Sequence, residues 1–228
     1  MEYVFPLKQH VGVACEPVVT TGEEVKRGQL IAEKPENALG SPIYSSICGK
    51  VTAVGETQIT IEEAGTDFGK YEPLKGTTPR ELIAESGLVG LDGAGFPTSV
   101  KLNVQFKDEG YVIVNAAECE PILSHNIARI EKEPEKLLKG LEIVMELTGA
   151  KKGIVAIKEI HKEAIEKIKK VNSNAAISVF PLENIYPMGE ERAVLRETLG
   201  ILLEPEQLPM AANAVVINAE TIYRLREA

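Results

Sequence analysis

The sequence contains few aromatic and few cysteine side chains. Trp is absent, aromatic residues make up 5% of the 228 residues, and there are three cysteines. A bound nucleotide would therefore find few rings to stack on, which draws attention to Phe96 and Tyr186. Cys15, Cys48 and Cys119 form no Cys-x-x-Cys pair, so the sequence predicts neither a disulfide framework nor an iron–sulfur cluster held by this chain alone.

The sequence also lacks an excess of positive charge and long apolar runs. The formal net charge is −9, which argues against a nucleic-acid-binding surface. No apolar run reaches the length of a membrane span, and the N-terminal MEYVFPLKQH has no signal-peptide core. The three histidines are scattered and form no zinc pattern. These absences predict a cytoplasmic globular protein without a direct membrane span and without a metal site.

Residues 1–70 are predicted to form a small all-β domain. Short β-branched runs separated by turn residues indicate strands at Pro17–Thr20, Gln29–Ala32, Gly49–Val54 and Gln58–Glu62. The segments VVTTGEEVKRGQLIAE and SPIYSSICGKVTAV resemble half of a lipoyl- or biotinyl-type barrel-sandwich domain. Lys34 lies in the intervening hairpin but lacks the residues that flank the modified lysine of carrier domains, so we favour a structural module over a carrier.

Residues 71–79 are predicted to be a linker, and residues 80–228 a second domain in which helices and strands alternate. The helical periods cover Pro79–Ser86, Glu133–Thr148, Lys162–Lys170 and Gly189–Leu199. The buried strand runs cover Tyr111–Asn115, Gly153–Ile157, Ala176–Phe180 and Ala214–Asn218. This alternation predicts a Rossmann-like α/β domain with a mainly parallel sheet, whose ligand binds at the carboxyl ends of the strands.

A glycine-rich segment, GLVGLDGAGFPTSVKL at residues 87–102, is the clearest candidate for a ligand loop. Glycine allows unusual backbone dihedrals and close approach of a ligand to the main chain. The segment lacks the Gly-Lys-Ser/Thr of a P-loop, and no clear strand stands directly before its glycines. The alternative is a mobile glycine-rich surface turn.

Three blocks in order carry a family resemblance: GLVGLDGAGFPTSVKL, VNAAECEP (114–121) and YPMGEERAVL (186–195). Together they resemble the flavin- and NADH-binding subunit shared by respiratory complex I, NAD-linked hydrogenases and formate dehydrogenases, and the C subunit of the Rnf complex. The barrel-sandwich module points to the Rnf C branch. The ECEP and ILSHN segments are closest to the cobalamin reductase of propanediol utilisation and to the electron-transfer protein associated with proline reductase.

The resemblance implies an FMN-dependent subunit that oxidises NADH and passes electrons to a separate iron–sulfur protein or terminal reductase. It implies no catalytic acid or base, because hydride transfer needs only a well-positioned nicotinamide and flavin. Rnf C chains continue into an iron–sulfur half that this sequence lacks. The clusters are therefore expected on a partner or on a missing C-terminal half, and the protein in the cytoplasm or peripheral to a membrane complex.

The glycine-rich block supplies five of the ligand residues that the resemblance implies. Gly90, Gly93 and Gly95 would form a wall against the flavin and nicotinamide. Phe96 would lie against the dinucleotide, and Lys101 would meet the FMN phosphate or ring. A surface position for the lysine is the alternative.

The ends of two buried strands supply five more. Asn115 and Glu118 would hydrogen-bond the ribityl chain and the ring or its phosphate side, and Glu120 would face NADH. Asn218 and Thr221 match the family's strand-end residues near the phosphate.

The third block would cover the flavin ring with Tyr186, Gly189, Glu190 and Glu191. Both glutamates lie in the first turn of the predicted helix, where the helix dipole alone would favour acidic residues. A ligand role and a helix-terminal role are therefore both open for them.

Two positions depart from the complex I pattern. Leu91 and Asp92 replace an Arg-Gly pair, which places a carboxylate near the expected phosphates. Ala117 stands where complex I has an aspartate, as it does in Rnf-type members. These departures motivate a second hypothesis, a non-catalytic scaffold or partner-docking module that keeps the fold without binding cofactor.

Overall fold

The structure is a computed structural model that describes residues 1–65, 71–91, 93–118, 120 and 122–228. The expectations for Asp92 and Cys119 lie outside the described residues. The chain divides into two compact units, Met1–Val100 with Ala228, and Lys101–Glu227. The domain boundaries expected from the sequence, with a linker at 71–79, stay a prediction.

The first unit contains two antiparallel sheets, as the all-β prediction required. Its strands are β1 (Glu2–Pro6), β2 (Glu16–Pro17), β3 (Glu24–Val25), β4 (Leu30–Glu33), β5 (Ile43–Tyr44), β6 (Gly49–Val54) and β7 (Gln58–Glu63). One sheet has the order β1-β7-β6-β3 and the other β2-β4-β5. Val51, Ile59 and Ile61 alternate with polar residues along their strands and are fully buried on one face of their sheet. This alternation makes the module's core.

Two short helices complete the first stretch of chain: α1 (Pro79–Glu85) and α2 (Thr98–Lys101). A capping box marks the beginning of α1. The Thr78 hydroxyl accepts from the Glu81 N–H at 3.3 Å, and the Glu81 carboxylate accepts from the Thr78 N–H at 3.0 Å. Hydrogen bonds from Thr77 and Thr78 lower the pKa of the Glu81 carboxyl to about 2. The capping box therefore fixes where this helix begins.

The second unit is the predicted α/β domain. Its elements are β8 (Tyr111–Ala116), α3 (His125–Lys132), α4 (Pro134–Thr148), β9 (Lys152–Lys158), α5 (Lys162–Val171), β10 (Ile177–Leu182), α6 (Glu191–Leu199), β11 (Ala214–Asn218) and α7 (Ala219–Glu227), with a short 3₁₀ turn at Pro209–Ala212. Helices α4 and α7 pack on one face of the sheet, and α6 packs on the other. The middle residues of β8, β9 and β11 are apolar because both faces of these strands are covered.

The predicted helices differ from the structure by one or two residues at a boundary, and the largest difference is at α6. Helix α6 begins at Glu191 rather than Gly189. The reason is that Glu190 is the N-cap, in an extended conformation, and its carboxylate accepts from the N–H groups of Arg192 and Ala193. The glutamate thus ends the preceding loop instead of continuing the helix.

The parallel sheet has the strand order β10-β9-β8-β11. The chain moves from β8 through β9 to β10 in one direction, and β11 then returns to the other side of β8. The order therefore reverses between β8 and β11, and this pair is the topological switch point. In open α/β sheets, ligands bind outside the carboxyl ends of the strands at such a point.

Candidate functional site

The glycine-rich segment is the tip of a narrow hairpin in the first unit. The Gly90 N–H donates to the Phe96 carbonyl at 2.8 Å, and the Thr98 N–H donates to the Leu88 carbonyl at 3.0 Å. These two bonds hold the ends of the loop together and leave Phe96 half-buried. The hairpin therefore places Gly93 at an exposed tip.

The glycines of this hairpin differ in what surrounds them. Gly93 has φ +112° and is exposed, and a Cβ atom there would meet nothing within 4 Å. Gly95 has φ +63° and is buried, with the site of a Cβ only 3.3 Å from His10 Cα. Gly95 is thus needed for packing and backbone conformation, whereas the space at Gly93 is open to a ligand.

Two asparagines lie side by side at the switch point of the second unit. Asn115 of β8 pairs in register with Asn218 of β11. The Asn115 side chain donates to the Gly189 carbonyl at 2.8 Å and accepts from the Ala117 N–H at 3.1 Å. The Asn218 side chain accepts from the Glu220 N–H at 2.8 Å and so caps α7. Both asparagines organise the loops that leave the sheet edge.

Lys101 is anchored beside this pair. Its ammonium donates to the Glu191 carboxylate at 2.8 Å and to the Val216 carbonyl at 2.7 Å. The lysine side chain is about a quarter exposed, at 24%. Two of its three N–H groups are used within the protein and its charge is matched by Glu191, so Lys101 joins β11 to the start of α6.

Glu118 is held in an unusual conformation by three neighbours. Its φ is +40°, in the left-handed region, and its side chain is only 5% exposed. The carboxylate accepts from the Asn126 N–H at 2.8 Å and lies 3.6 Å from His125 Nδ1. Since Ser124 makes no side-chain cap bond, Glu118 itself caps α3. The Lys158 ammonium donates to the Glu118 carbonyl at 3.3 Å.

The remaining predicted site residues differ widely in exposure. Tyr186 is 80% exposed and Thr221 is 1% exposed. Glu120 and Glu190 are exposed, and the Glu190 carboxylate is used to cap α6. The structure thus connects Lys101, Asn115, Gly189, Glu191 and Asn218 within the second unit through direct hydrogen bonds or strand register.

Two buried polar residues at the same sheet edge were not predicted from the sequence. Lys158 ends β9, and Asn126 lies in the first turn of α3 with a buried Oδ1 that has no hydrogen-bond partner. The signal for Lys158 was present, because it directly follows the buried run GIVAI just as Asn115 and Asn218 end theirs. Nothing local marks Asn126, because it is placed by Glu118 eight positions earlier.

Comparison with known families matches both parts of the chain. The Nuo51 FMN-binding domain matches residues 83–227, and the RnfC barrel sandwich hybrid domain matches residues 1–67. A barrel-sandwich module followed by an FMN-binding α/β domain defines the class of protein. The chain belongs to the family of the Rnf complex C subunit.

Individual relatives agree with this assignment. The chain is 30% identical to the C subunit of the Na(+)-translocating ferredoxin:NAD(+) oxidoreductase complex of Acetobacterium woodii, over 98% of this chain and 55% of that protein. It is 36% identical to the cobalamin reductase PduS of Citrobacter freundii, over 66% of this chain and 33% of that protein. The chain spans about half the length of the Rnf C relatives that it matches.

A solved structure supports the fold. The NAD+-reducing [NiFe]-hydrogenase in its air-oxidised state aligns with a TM-score of 0.55 and 23% identity, covering 65% of this chain and 29% of that one. At this identity the likeness concerns the fold alone. In the part of the chain that the structure describes, no helix combines the length and apolarity needed to cross a bilayer.

Proposed function

We propose that this protein binds FMN at the carboxyl edge of its parallel sheet, oxidises NADH there, and passes the electrons to a separate iron–sulfur protein or reductase. The observation that carries the proposal is the pairing of Asn115 with Asn218 at the switch point. That pair lies within the residues matched by the FMN-binding domain, at the position where open α/β sheets bind ligands.

The chemistry of this edge fits a flavin nucleotide. Asn126 Oδ1 is a buried acceptor without a partner, suited to a ligand hydroxyl or ring N–H. Lys101 and Lys158 bring two ammonium groups to the same edge, suited to phosphate or carbonyl oxygens.

The side chains have a positioning role in this proposal. FMN, when bound, supplies the hydride acceptor and the means to divide an electron pair between single-electron carriers. Asn115, Lys101 and Glu191 hold the loop before α6 against the sheet edge, which keeps that side of the site in place. The exposed Tyr186 lies in the same loop and is available to cover a bound ring.

Flavin uptake and its response to NADH test the proposal. The purified protein, incubated with FMN and freed of excess, should retain a visible flavin absorption band that NADH bleaches in the absence of oxygen. Adding a soluble one-electron acceptor should then restore the band. If the protein does not bind FMN at micromolar concentration, the proposal is wrong.

A specific observation supports the second candidate, a non-catalytic scaffold. The Lys101, Asn115 and Asn218 side chains are already bonded within the protein, as expected if they only maintain the fold. This candidate requires that no flavin is taken up while a cluster-bearing protein still co-purifies. The identity of the partner protein is part of the proposal under either candidate, and co-purification from the native cell would reveal it.

A further inference from the structure

Lys158 is a buried lysine at the ligand-binding edge of the sheet. It is the last residue of the central strand β9 and is 8% exposed. Side chains alternate between the faces of a strand, so Lys158 follows Ile154 and Ala156 on the face that packs against α6. Asn115 follows Ile113 on that same face of β8.

The charge of Lys158 is not matched by a carboxylate among the described residues. Its ammonium has one hydrogen bond, 3.3 Å to the Glu118 carbonyl. The nearby Glu118 carboxylate turns instead to the Asn126 N–H, at 2.8 Å. Lys101 differs, because Glu191 pairs with it at 2.8 Å. Of these two lysines, only Lys158 brings an unneutralised positive charge to this edge.

A buried ammonium without a counter-charge is unfavourable. A bound anionic ligand can supply the missing negative charge through charge-assisted hydrogen bonds. Its carbonyl contact uses one N–H and leaves two N–H groups for that purpose. The same hydrogen bond joins the ammonium to Glu118, a residue that the family resemblance implies is at the flavin.

We propose that Lys158 is an anion-binding residue of this site and contacts an electron-rich oxygen of the bound flavin nucleotide. The proposal rests on the proposed function. The oxygen belongs either to the phosphate group or to a ring carbonyl, and the two sources differ in one testable respect, because riboflavin keeps the ring and lacks the phosphate.

This role predicts opposite effects on the free and the loaded protein. Lys158→Met removes an unmatched buried charge, so the melting temperature of the flavin-free protein should stay unchanged or rise. The same variant should bind FMN at least about tenfold more weakly, which corresponds to about 1.4 kcal/mol. A residue that served only to hold the Glu118 backbone would lower the melting temperature of the free protein and leave FMN affinity near that of the wild type.

Four versions of the whole chain test the inference: wild type, Lys158→Met, Lys158→Arg and Lys152→Met. Lys152 is the matched control because it is an exposed lysine at the opposite end of the same strand. Dissociation constants for FMN and riboflavin are measured by flavin fluorescence, and melting temperatures without flavin. Lys158→Arg keeps the charge and should retain most of the affinity, and Lys152→Met should match the wild type.

Each outcome decides something. If Lys158→Met weakens the binding of FMN but not of riboflavin, the ammonium lies at the phosphate. If it weakens the binding of both flavins equally, the ammonium lies at the ring. Wild-type affinity of Lys158→Met for both flavins overturns the inference and leaves the proposed function intact. If neither the wild type nor Lys152→Met binds FMN, the proposed function and the inference both fall.

Discussion

Single side chains at the sheet edge serve the fold and the candidate site at once. Asn218 caps α7, Glu118 caps α3, and Lys101 joins β11 to Glu191. Each therefore has a structural reason to be where it is. A substitution at these positions changes loop geometry as well as any ligand contact, so they are poor probes of binding. Gly93 and Lys158 are better probes.

Gly93→Val should weaken flavin binding beyond its effect on stability. At φ +112°, a β-branched residue is strained by roughly 1–2 kcal/mol, and its methyl groups would fill the open space over the hairpin tip. Gly22→Val is the control, because Gly22 has φ +94°, open surroundings and a place in the same unit. Urea unfolding should show similar losses for both variants, and fluorescence titration should show weaker FMN binding only for Gly93→Val. Equal FMN affinities for the two variants would contradict a ligand at this tip.

The thiol of Cys15 should react slowly in the native protein. Cys15 is 3% exposed, and burial raises the pKa of its thiol, although a hydrogen bond with the Ser41 backbone partly opposes the shift. The thiolate is the reactive form, so burial of the thiol and its raised pKa both slow the reaction. Peptide mass spectrometry after iodoacetamide treatment should show Cys15 modified more slowly in native than in urea-unfolded protein. The half-buried Cys48 is the control, because its modification in the same sample shows that the iodoacetamide is active. Equal rates for Cys15 in both states would show that the module opens readily.

At the scale of helices and strands, the sequence predicted those elements whose signals are local. Helix α4 has a regular apolar period, and helix α1 has its own capping box, so both were found. Helix α3 was not predicted, because its cap is Glu118, seven positions before the helix begins. Helix α7 was missed because it starts directly after a strand and is capped by that strand's last residue, Asn218. The distant cap of α3 leaves no short-range pattern in the sequence, whereas the cap of α7 is adjacent to its helix but is also the last residue of a predicted strand.

The capping box of α1 should contribute measurably to the first unit. Thr78→Ala removes the hydroxyl that accepts from Glu81, and loss of such a cap costs about 1 kcal/mol. Urea unfolding followed by circular dichroism measures the change. Thr21→Ala is the control, because Thr21 is exposed in a turn of the same unit. A Thr78→Ala protein as stable as the Thr21→Ala protein would mean that α1 is held by packing alone.

Acid should weaken the same cap. The folded-state pKa of the Glu81 carboxyl is lowered to about 2 from 4.5, so its contribution to stability is present above pH 4.5 and is lost as the pH falls through about 2. Amide exchange of α1 should therefore accelerate across this range, with the helix of the Thr78→Ala variant less dependent on pH. If the ratio of observed to intrinsic amide exchange rates in α1 stayed constant over this pH range, the assigned role of Glu81 would be contradicted.

For the molecule as a whole, the two-part architecture was predictable, whereas the position of the site within it was only partly so. Density of β-branched residues and turns marked the first module, and alternating buried strands and helices marked the second. The order β10-β9-β8-β11 was not derivable from those patterns, because the return of β11 to the side of β8 depends on long-range packing. That return is what brings Asn115 and Asn218 together, and it also gives the buried Lys158 its place at the same edge.

Net charge leads to a prediction for the whole chain that rests on the proposed function. The chain carries a formal charge of −9, and NADH is itself anionic, so long-range repulsion should slow their encounter. Salt screens this repulsion, since the Debye length falls from about 30 Å at 0.01 M to about 8 Å at 0.15 M ionic strength. The second-order rate of flavin bleaching by NADH should therefore rise several-fold between these conditions. A neutral N-alkyl dihydronicotinamide, which lacks the phosphates, is the control and should show little salt dependence. A rate with NADH that falls as salt is added would instead show that local positive charge, such as that of Lys158, outweighs the net negative charge of the chain at the entrance to the site.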